Sequence, residues 1–174
     1  MESLYFKKIR ELQKSKAELE NKFRVKINIR GKLVTLEGSA VDEYGALIVL
    51  EAMQFGFSSK RALVLLSDDL IFRKIPIKNF TRRKNMKEVR GRIIGKEGKT
   101  KNTIEQISSC DILINEYENS VGLIGSAEQI EEATTAITNL IKGSKQANVY
   151  RFLERMNAQK KQMDTDLGLK IKEK

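Results

Sequence analysis

Gly91-Arg92-Ile93-Ile94-Gly95-Lys96-Glu97-Gly98-Lys99-Thr100-Lys101 is the part of this 174-residue chain from which the remainder can be understood. Two glycines three apart, Gly95 and Gly98, follow an apolar pair and precede a segment with helical spacing, Ile104 and Ile107 falling on one face. The spacing predicts a helix, a tight Gly-x-x-Gly turn and a second helix. Glycine at both corners lets the backbone take positive φ and lets another backbone approach closely, while the second helix opens with unpaired N–H groups toward the turn. Amides so placed, with Lys96, Lys99 and Lys101 around them, form a site for phosphate and hence for a polyanion backbone.

Gly98-Lys99-Thr100 imitates the end of a nucleotide-binding P-loop, but that loop needs a glycine five positions before Gly98, where this chain has Ile93. The P-loop is rejected; no small-molecule substrate is expected. Gly-x-x-Gly alone would fit an ordinary helix-helix turn. In the context Ile-Ile-Gly-x-x-Gly-Lys, followed by a helix, a β-hairpin and another helix, it resembles the KH domain, whose Gly-x-x-Gly loop clamps about four nucleotides.

The charge distribution agrees. The chain carries 33 Lys+Arg against 23 Asp+Glu, a formal +10. Such an excess favours nucleic acid or another anionic surface, whereas the bland alternative is a merely solvated exterior. Position decides between them, because residues 82–101 hold Arg82, Arg83, Lys84, Lys87, Arg90, Arg92, Lys96, Lys99 and Lys101 against only Glu88 and Glu97. With no histidine and a single cysteine, Cys110, there is no zinc constellation, disulfide or histidine-based triad, and neither metal nor cofactor is expected. Cys110 opens an apolar run and is expected to be buried. No apolar stretch approaches a membrane span and the start lacks signal-peptide features, so a cytoplasmic protein without membrane contact is expected.

In chain order, residues 7–22 read as an amphipathic helix through Ile9, Leu12, Leu19 and Phe23. Val25, Ile27 and Ile29 alternate with polar residues, Gly31-Lys32 turns the chain, and residues 33–37 return as a partner strand. Ser39 can cap a helix over residues 40–54 that Gly56 stops, and a short helix follows over residues 59–66. Residues 70–77 read as a strand confined to a sheet edge by Pro76. A polar, basic loop over residues 79–87 leads to the helix before the glycine turn. After the second helix, residues 112–114 and 121–124 form another hairpin, Ser126 with Gln129 fits a capping box, and a helix over residues 127–142 ends at Gly143. Val149, Phe152, Leu153 and Met156 mark a last helix before a charged tail.

That succession occurs twice. A gapless shift of 87 positions matches Ile27-Asn28 to Ile114-Asn115, Val34 to Val121, Leu36 to Leu123, Gly38-Ser39-Ala40 to Gly125-Ser126-Ala127, Gly56 to Gly143 and Leu66 to Leu153. Turn glycines and cap serines coincide as well as apolar positions, which points to internal duplication. The same shift sets Gly95 and Gly98 against Lys8 and Glu11, so the first copy lacks the phosphate turn. It also starts so near residue 1 that little room is left for an opening strand and helix.

A degenerate first unit, the decapeptide Gly-Arg-Ile-Ile-Gly-Lys-Glu-Gly-Lys-Thr and the helix Val149-Tyr150-Arg151-Phe152-Leu153-Glu154 together resemble the partner-of-Nob (Dim-type) family of small-ribosomal-subunit assembly. The resemblance covers nearly the whole chain and is strongest over residues 90–154. The lack of an extended N-terminal region makes it similar to archaeal members. It implies an α+β protein of two KH-like (type I) units in tandem, each a small three-stranded antiparallel sheet covered by helices, the first degenerate and incomplete at its start. The corresponding domains are 1–68, 69–145 with the turn, and 146–174 as helix and tail. It implies binding to the 3′ end region of the small-subunit ribosomal RNA, partnership with the Nob endonuclease and, in archaea, contact with the α subunit of translation initiation factor two.

The candidate RNA-binding residues are therefore Arg82, Arg83, Lys84, Arg90, Arg92, Ile93, Ile94, Gly95, Lys96, Glu97, Gly98, Lys99, Thr100 and Lys101. Amides at residues 96–98 would hold phosphates, Glu97 would face solvent, and Ile93 or Ile94 would floor the base site, with core packing the competing role. A protein adaptor is the second hypothesis, since a first unit kept without its turn must serve another contact. An enzyme is the third and weakest, because Asp68, Asp69 and Asp111 form no supporting pattern.

Overall fold

The structure is a computed structural model that describes residues 3–168. It divides into two compact units, Met1–Phe72 and Arg73–Lys174.

The first unit begins with a three-residue strand, β1 (Ser3–Tyr5), followed by helix α1 (Arg10–Phe23), strands β2 (Lys26–Arg30) and β3 (Leu33–Glu37), and helix α2 (Ala40–Phe55). The strands form a sheet in the order β1-β3-β2, with β3 antiparallel to both neighbours. Alternation places Ile27, Val34 and Leu36 inward, where Leu12, Leu19 and Phe23 of α1 and Val49, Leu50 and Met53 of α2 are buried. Ser39 caps α2 by accepting the Asp42 N–H, and Gly56 at φ 132° ends it by donating to the carbonyls of Ala52 and Met53. A single helical turn, α3 (Ser59–Ala62), continues as 3-10 helix over Leu63–Leu66, so the expected short helix changes type halfway.

The opening of this unit is not empty: β1 supplies the strand for which the sequence left little room, pairing Ser3 with Thr35 and Tyr5 with Leu33. Three residues are too few for a period-two pattern to show. Residues 6–9 then lead straight into α1, and among the described residues no helix stands between β1 and α1.

The second sheet contains β4 (Ile71–Pro76), β5 (Asp111–Asn115) and β6 (Ser120–Gly125) in the order β4-β6-β5, which puts Pro76 on an edge strand as its missing N–H requires. The expected basic loop is shorter than its composition suggests. Its start lies in a 3-10 turn, Ile77–Phe80, and its end already belongs to helix α4 (Met86–Ile94), capped by Asn85 accepting the Glu88 N–H. Helix α5 (Lys99–Ser108) follows the glycine turn, and α6 (Ala127–Lys142) carries the capping box, Ser126 and Gln129 exchanging backbone hydrogen bonds at 2.9 and 3.3 Å. One core holds Ile75, Ile77, Val89, Ile93, Ile104, Ile112, Val121, Leu123, Ile130, Ile137, Leu140 and Leu153.

The last helix, α7 (Gln146–Asp166), packs rather than projects its apolar face: Val149 and Leu153 are buried, with Phe152 against the same core. Two polar contacts fix it. Asn157 donates to the Ile107 carbonyl at 2.6 Å, and Lys160 lies 2.9 Å from the carboxylate of Glu132, which is 5 % exposed. The charged tail expected after it falls partly on residues 169–174, outside the described residues.

Removing Lys160 would leave a carboxylate in the interior without its counter-charge, which is costlier than the pair itself is stabilising. Lys160→Ala is expected to lower stability by about 3 kcal/mol, seen as a lower urea midpoint at unchanged slope, and Glu132→Leu with Lys160→Met to recover most of the loss.

Candidate nucleic-acid interface

Helix α4 has to end at Gly95 because the chain there adopts φ 75°, ψ 175°, outside the range of ordinary side chains. Packing makes the same demand. A Cβ on Gly95 would sit 2.1 Å from Thr100 Oγ1 and 2.6 Å from Thr100 Cβ, so the two helices meet through bare backbone against a buried threonine. Glu97 at φ 54° and Gly98 at φ 76° then take two successive left-handed conformations, which reverse the chain within one 3-10 turn, Lys96–Gly98. Gly98 has open space around it, its nearest neighbour to an added Cβ being Asn102 Nδ2 at 3.9 Å. Its requirement is conformational alone.

The turn uses some of its amides internally. Gly95 donates to the Gly91 carbonyl at 2.8 Å, Gly98 to Gly95 at 3.2 Å, and Lys99 to Lys96. Among the described hydrogen bonds, the Lys96 and Glu97 amides have no acceptor, so two of the three amides expected to face a phosphate remain open. Lys96, Glu97 and Lys99 are exposed, and neither lysine has a described ionic partner. From this turn an open cleft of about 540 Å³ runs along α5, lined by Lys96, Glu97, Lys99, Asn102, Thr103 and Gln106. It continues past Asn102 and Gln106 toward Glu105, Ser109 and Asp111.

The structure separates the sequence candidates into four groups, the last being Arg82 and Lys84. Gly95, Lys96, Glu97, Gly98 and Lys99 form the exposed turn, with half-buried Ile94 beside it. Ile93 has no exposed surface and Thr100 is 5 % exposed, so both hold the two helices together and neither can touch a base. The third group is basic but engaged: Arg90 donates to Asn119 Oδ1, Arg92 to the Ser144 carbonyl at 3.0 Å, Lys101 pairs with Glu105 at 3.0 Å, and Arg83 pairs with Glu88 at 3.1 Å. Arg82 and Lys84 are exposed on the approach to α4. Sequence reasoning missed Asn102, Thr103 and Gln106, although their spacing from Lys99 places all of them on one face of α5.

At the far end of the cleft Cys110 is 2 % exposed. Burial, chiefly, pushes its thiol up to about 11; the Asp111 and Glu132 carboxylates add to this, and a hydrogen bond with Ser108 opposes it.

A family model described as eukaryotic type KH-domain (KH-domain type I), the second KH domain of PNO1, matches residues 71–158. A KH domain-containing protein of Methanocaldococcus jannaschii is 31% identical over 147 residues, 80% of this chain and 64% of that protein. The pre-rRNA-processing protein pno1 of Emericella nidulans is 31% identical over 150 residues, 81% of this chain and 57% of the fungal one. The chain thus spans less than two thirds of the length of either relative. Among solved structures, Dim2p from Pyrococcus horikoshii is 30% identical with a TM-score of 0.79, covering 88% of this chain and 98% of that one. A chain of the a/eIF2alpha-aDim2p-rRNA complex from the same organism is also 30% identical, with a TM-score of 0.82 and coverage of 91% and 94%.

Three outcomes follow from this geometry. Gly95→Ala combines a backbone strain with a clash and should cost about 3 kcal/mol, against about 1 kcal/mol for Gly98→Ala and less for Gly98→Asn, as measured by urea unfolding. Cys110 should react with iodoacetamide at pH 8 roughly a hundredfold more slowly in the native protein than in the unfolded chain. Because the folded thiol keeps its proton to about 11 and the unfolded one loses it near 9.0, stability should fall as pH rises through that interval.

Proposed function

The chain belongs to the PNO1-type family of KH-domain proteins, and from that membership we propose that it is a non-catalytic, cytoplasmic binder of single-stranded RNA acting in small-subunit ribosome assembly, with the 3′ end region of the small-subunit ribosomal RNA as its target. The observation that carries this reading is the exposed turn between α4 and α5, where two open amides lie beside Lys96 and Lys99, neither of which has a described ionic partner. Open amides at a helix start donate hydrogen bonds to phosphate oxygens without discriminating sequence, and Asn102, Thr103 and Gln106 along α5 present donors and acceptors to base edges. Ile94, the one half-exposed isoleucine of the pair, supplies the apolar contact for an unstacked base. Supporting names come from the relatives: pre-rRNA-processing in the fungal protein, and an rRNA complex for the Dim2p chain.

The first unit favours a second, compatible role. It repeats the strand order of the second sheet but has no glycine turn and no helix before α1, so it can be read as a degenerate KH-like partner in a tandem arrangement descended from one duplicated unit. We assign domains 1–68, 69–145 and 146–174 accordingly, the first contacting proteins. The candidates are a Nob-type endonuclease and the α subunit of translation initiation factor two, the latter supported by the archaeal complex, in which Dim2p is bound with a/eIF2alpha and rRNA.

Lys96→Asp with Glu97→Asp places two acids at the turn and changes the net charge by two. Affinity for a short single-stranded RNA should fall at least tenfold, about 1.4 kcal/mol, while binding to the initiation-factor subunit persists. Log affinity of the parent protein should fall with log salt at a slope of about −3 for four phosphates. Unchanged affinity in the double variant, or a flat salt response, would remove the clamp.

A further inference from the structure

The two units match over their later helices, and the match breaks where the first one stops. Under the shift of 87 positions, α2 (Ala40–Phe55) corresponds to α6 (Ala127–Lys142), the start of α3 at Ser59 to the start of α7 at Gln146, and Leu66 to Leu153. In the first unit the helical segment ends at Leu66. In the second, α7 continues, and residues 154–160 lie where α5 and α6 meet: Asn157 donates to the Ile107 carbonyl, and Lys160 reaches Glu128 at 3.6 Å and Glu132 at 2.9 Å. Among the described residues of the first unit, no helix takes the place of that continuation.

The positions left bare are apolar in the first unit alone. Glu128, Glu131 and Thr135 of α6 correspond to Val41, Tyr44 and Ile48 of α2, and buried Glu132 corresponds to Gly45. Val41 is 82 % and Tyr44 66 % exposed, Ile48 and Gly45 are half-buried beside them, and only one turn further on does Ala52 disappear into the core. Within α2 only Asp42, Glu43, Glu51 and Gln54 carry a charge or an amide, so the helix is apolar on its outer side as well as toward its core. That pattern belongs to a helix covered on both sides. At the foot of the strip Gly45 leaves room for another backbone beside Phe23, the last residue of α1, whose ring a Cβ there would meet at an ordinary 3.8 Å.

We propose that the outer face of α2, beside the end of α1, is the docking site for an amphipathic helix of a partner protein, seated where residues 154–160 sit in the second unit. An aliphatic stripe on the incoming helix meets Val41, Tyr44 and Ile48. Basic residues on its flank meet the acids around them, because residues 33–59 carry Glu37, Asp42, Glu43 and Glu51 and neither lysine nor arginine. Lys160 reaching the acids of α6 is the precedent for that polarity within the same chain. The same charge turns an RNA backbone away from this strip. The proposal rests on the reading of the first unit as a protein-contacting one and deepens it by giving the seat and the chemistry of what binds there.

The test titrates the full chain with a labelled synthetic helical peptide of about fourteen residues, leucines at i, i+3, i+4 and i+7 flanked by lysines, and with the same peptide carrying glutamates for the lysines. The lysine peptide should bind about tenfold more tightly than the glutamate one. Val41→Glu with Tyr44→Glu and Ile48→Thr installs the residues of the matching positions on α6, and should weaken the lysine peptide about tenfold while leaving the urea midpoint and the RNA affinity as they were. Should the triple variant unfold early, Val41→Glu alone, at the most exposed position, carries the same expectation. Equal binding of the two peptides, or a variant that binds like the parent, overturns the site. So does a parent chain that sediments as a dimer and a variant that sediments as a monomer, because the face then belongs to a second copy. A chain that binds the peptide, loses it in the variant and yet ignores the α subunit of translation initiation factor two keeps the docking site and removes only that protein as its partner.

Discussion

The approach of Gly95 to Thr100 is the contact on which the second unit's chemistry depends. Only because residue 95 lacks a side chain can α4 end and α5 begin within three residues, and only that brevity forces Glu97 and Gly98 into successive left-handed conformations. Those conformations turn the Lys96 and Glu97 amides away from the protein's own carbonyls. The threonine that makes the contact is buried, and Ile93 beneath it belongs to the same core as Ile104 and Leu123. The tip is thus a rigid consequence of packing behind it and does not depend on any stabilising partner in front.

Much of this was legible in the linear chain. Glycine spacing located the turn, serine and glycine marked both ends of α2 and α6, and Pro76 assigned β4 to an edge. What could not be read were decisions made by tertiary neighbours. Ile93 and Ile94 look equivalent in sequence, yet one is wholly enclosed and the other half-exposed, because only one of them points toward β-strands and α6. Arg90 and Arg92 look as available as Lys96, but Asn119 and Ser144, dozens of residues away, occupy them. The strand β1 escaped for a different reason: three residues form it, and its pairing with β3 outweighs any local propensity.

Basic residues near the turn therefore divide into two functions. Arg83, Arg90, Arg92 and Lys101 spend hydrogen bonds on the protein and orient α4 and α5 against the β5–β6 hairpin, the α6–α7 junction and their own acids. Lys96 and Lys99, together with Arg82, Lys84 and Lys87, carry the uncompensated charge outward. A count of cations over the segment overstates the attraction available to a ligand by about half of its members, which is why charge density alone is a blunt guide to an interface.

The hydrogen bond from Asn157 to the Ile107 carbonyl has a thermodynamic corollary. It ties down the end of α5 remote from the turn, while Thr100 ties down the near end, leaving the helix no freedom to tilt toward what it grips. If single-stranded RNA is the ligand, all adaptation falls on the nucleic acid, which must arrive unpaired and straighten to match a fixed surface. Discrimination then comes from the ease with which a given segment melts out of its own secondary structure, so that accessibility within the folded RNA selects the site before any base edge is inspected.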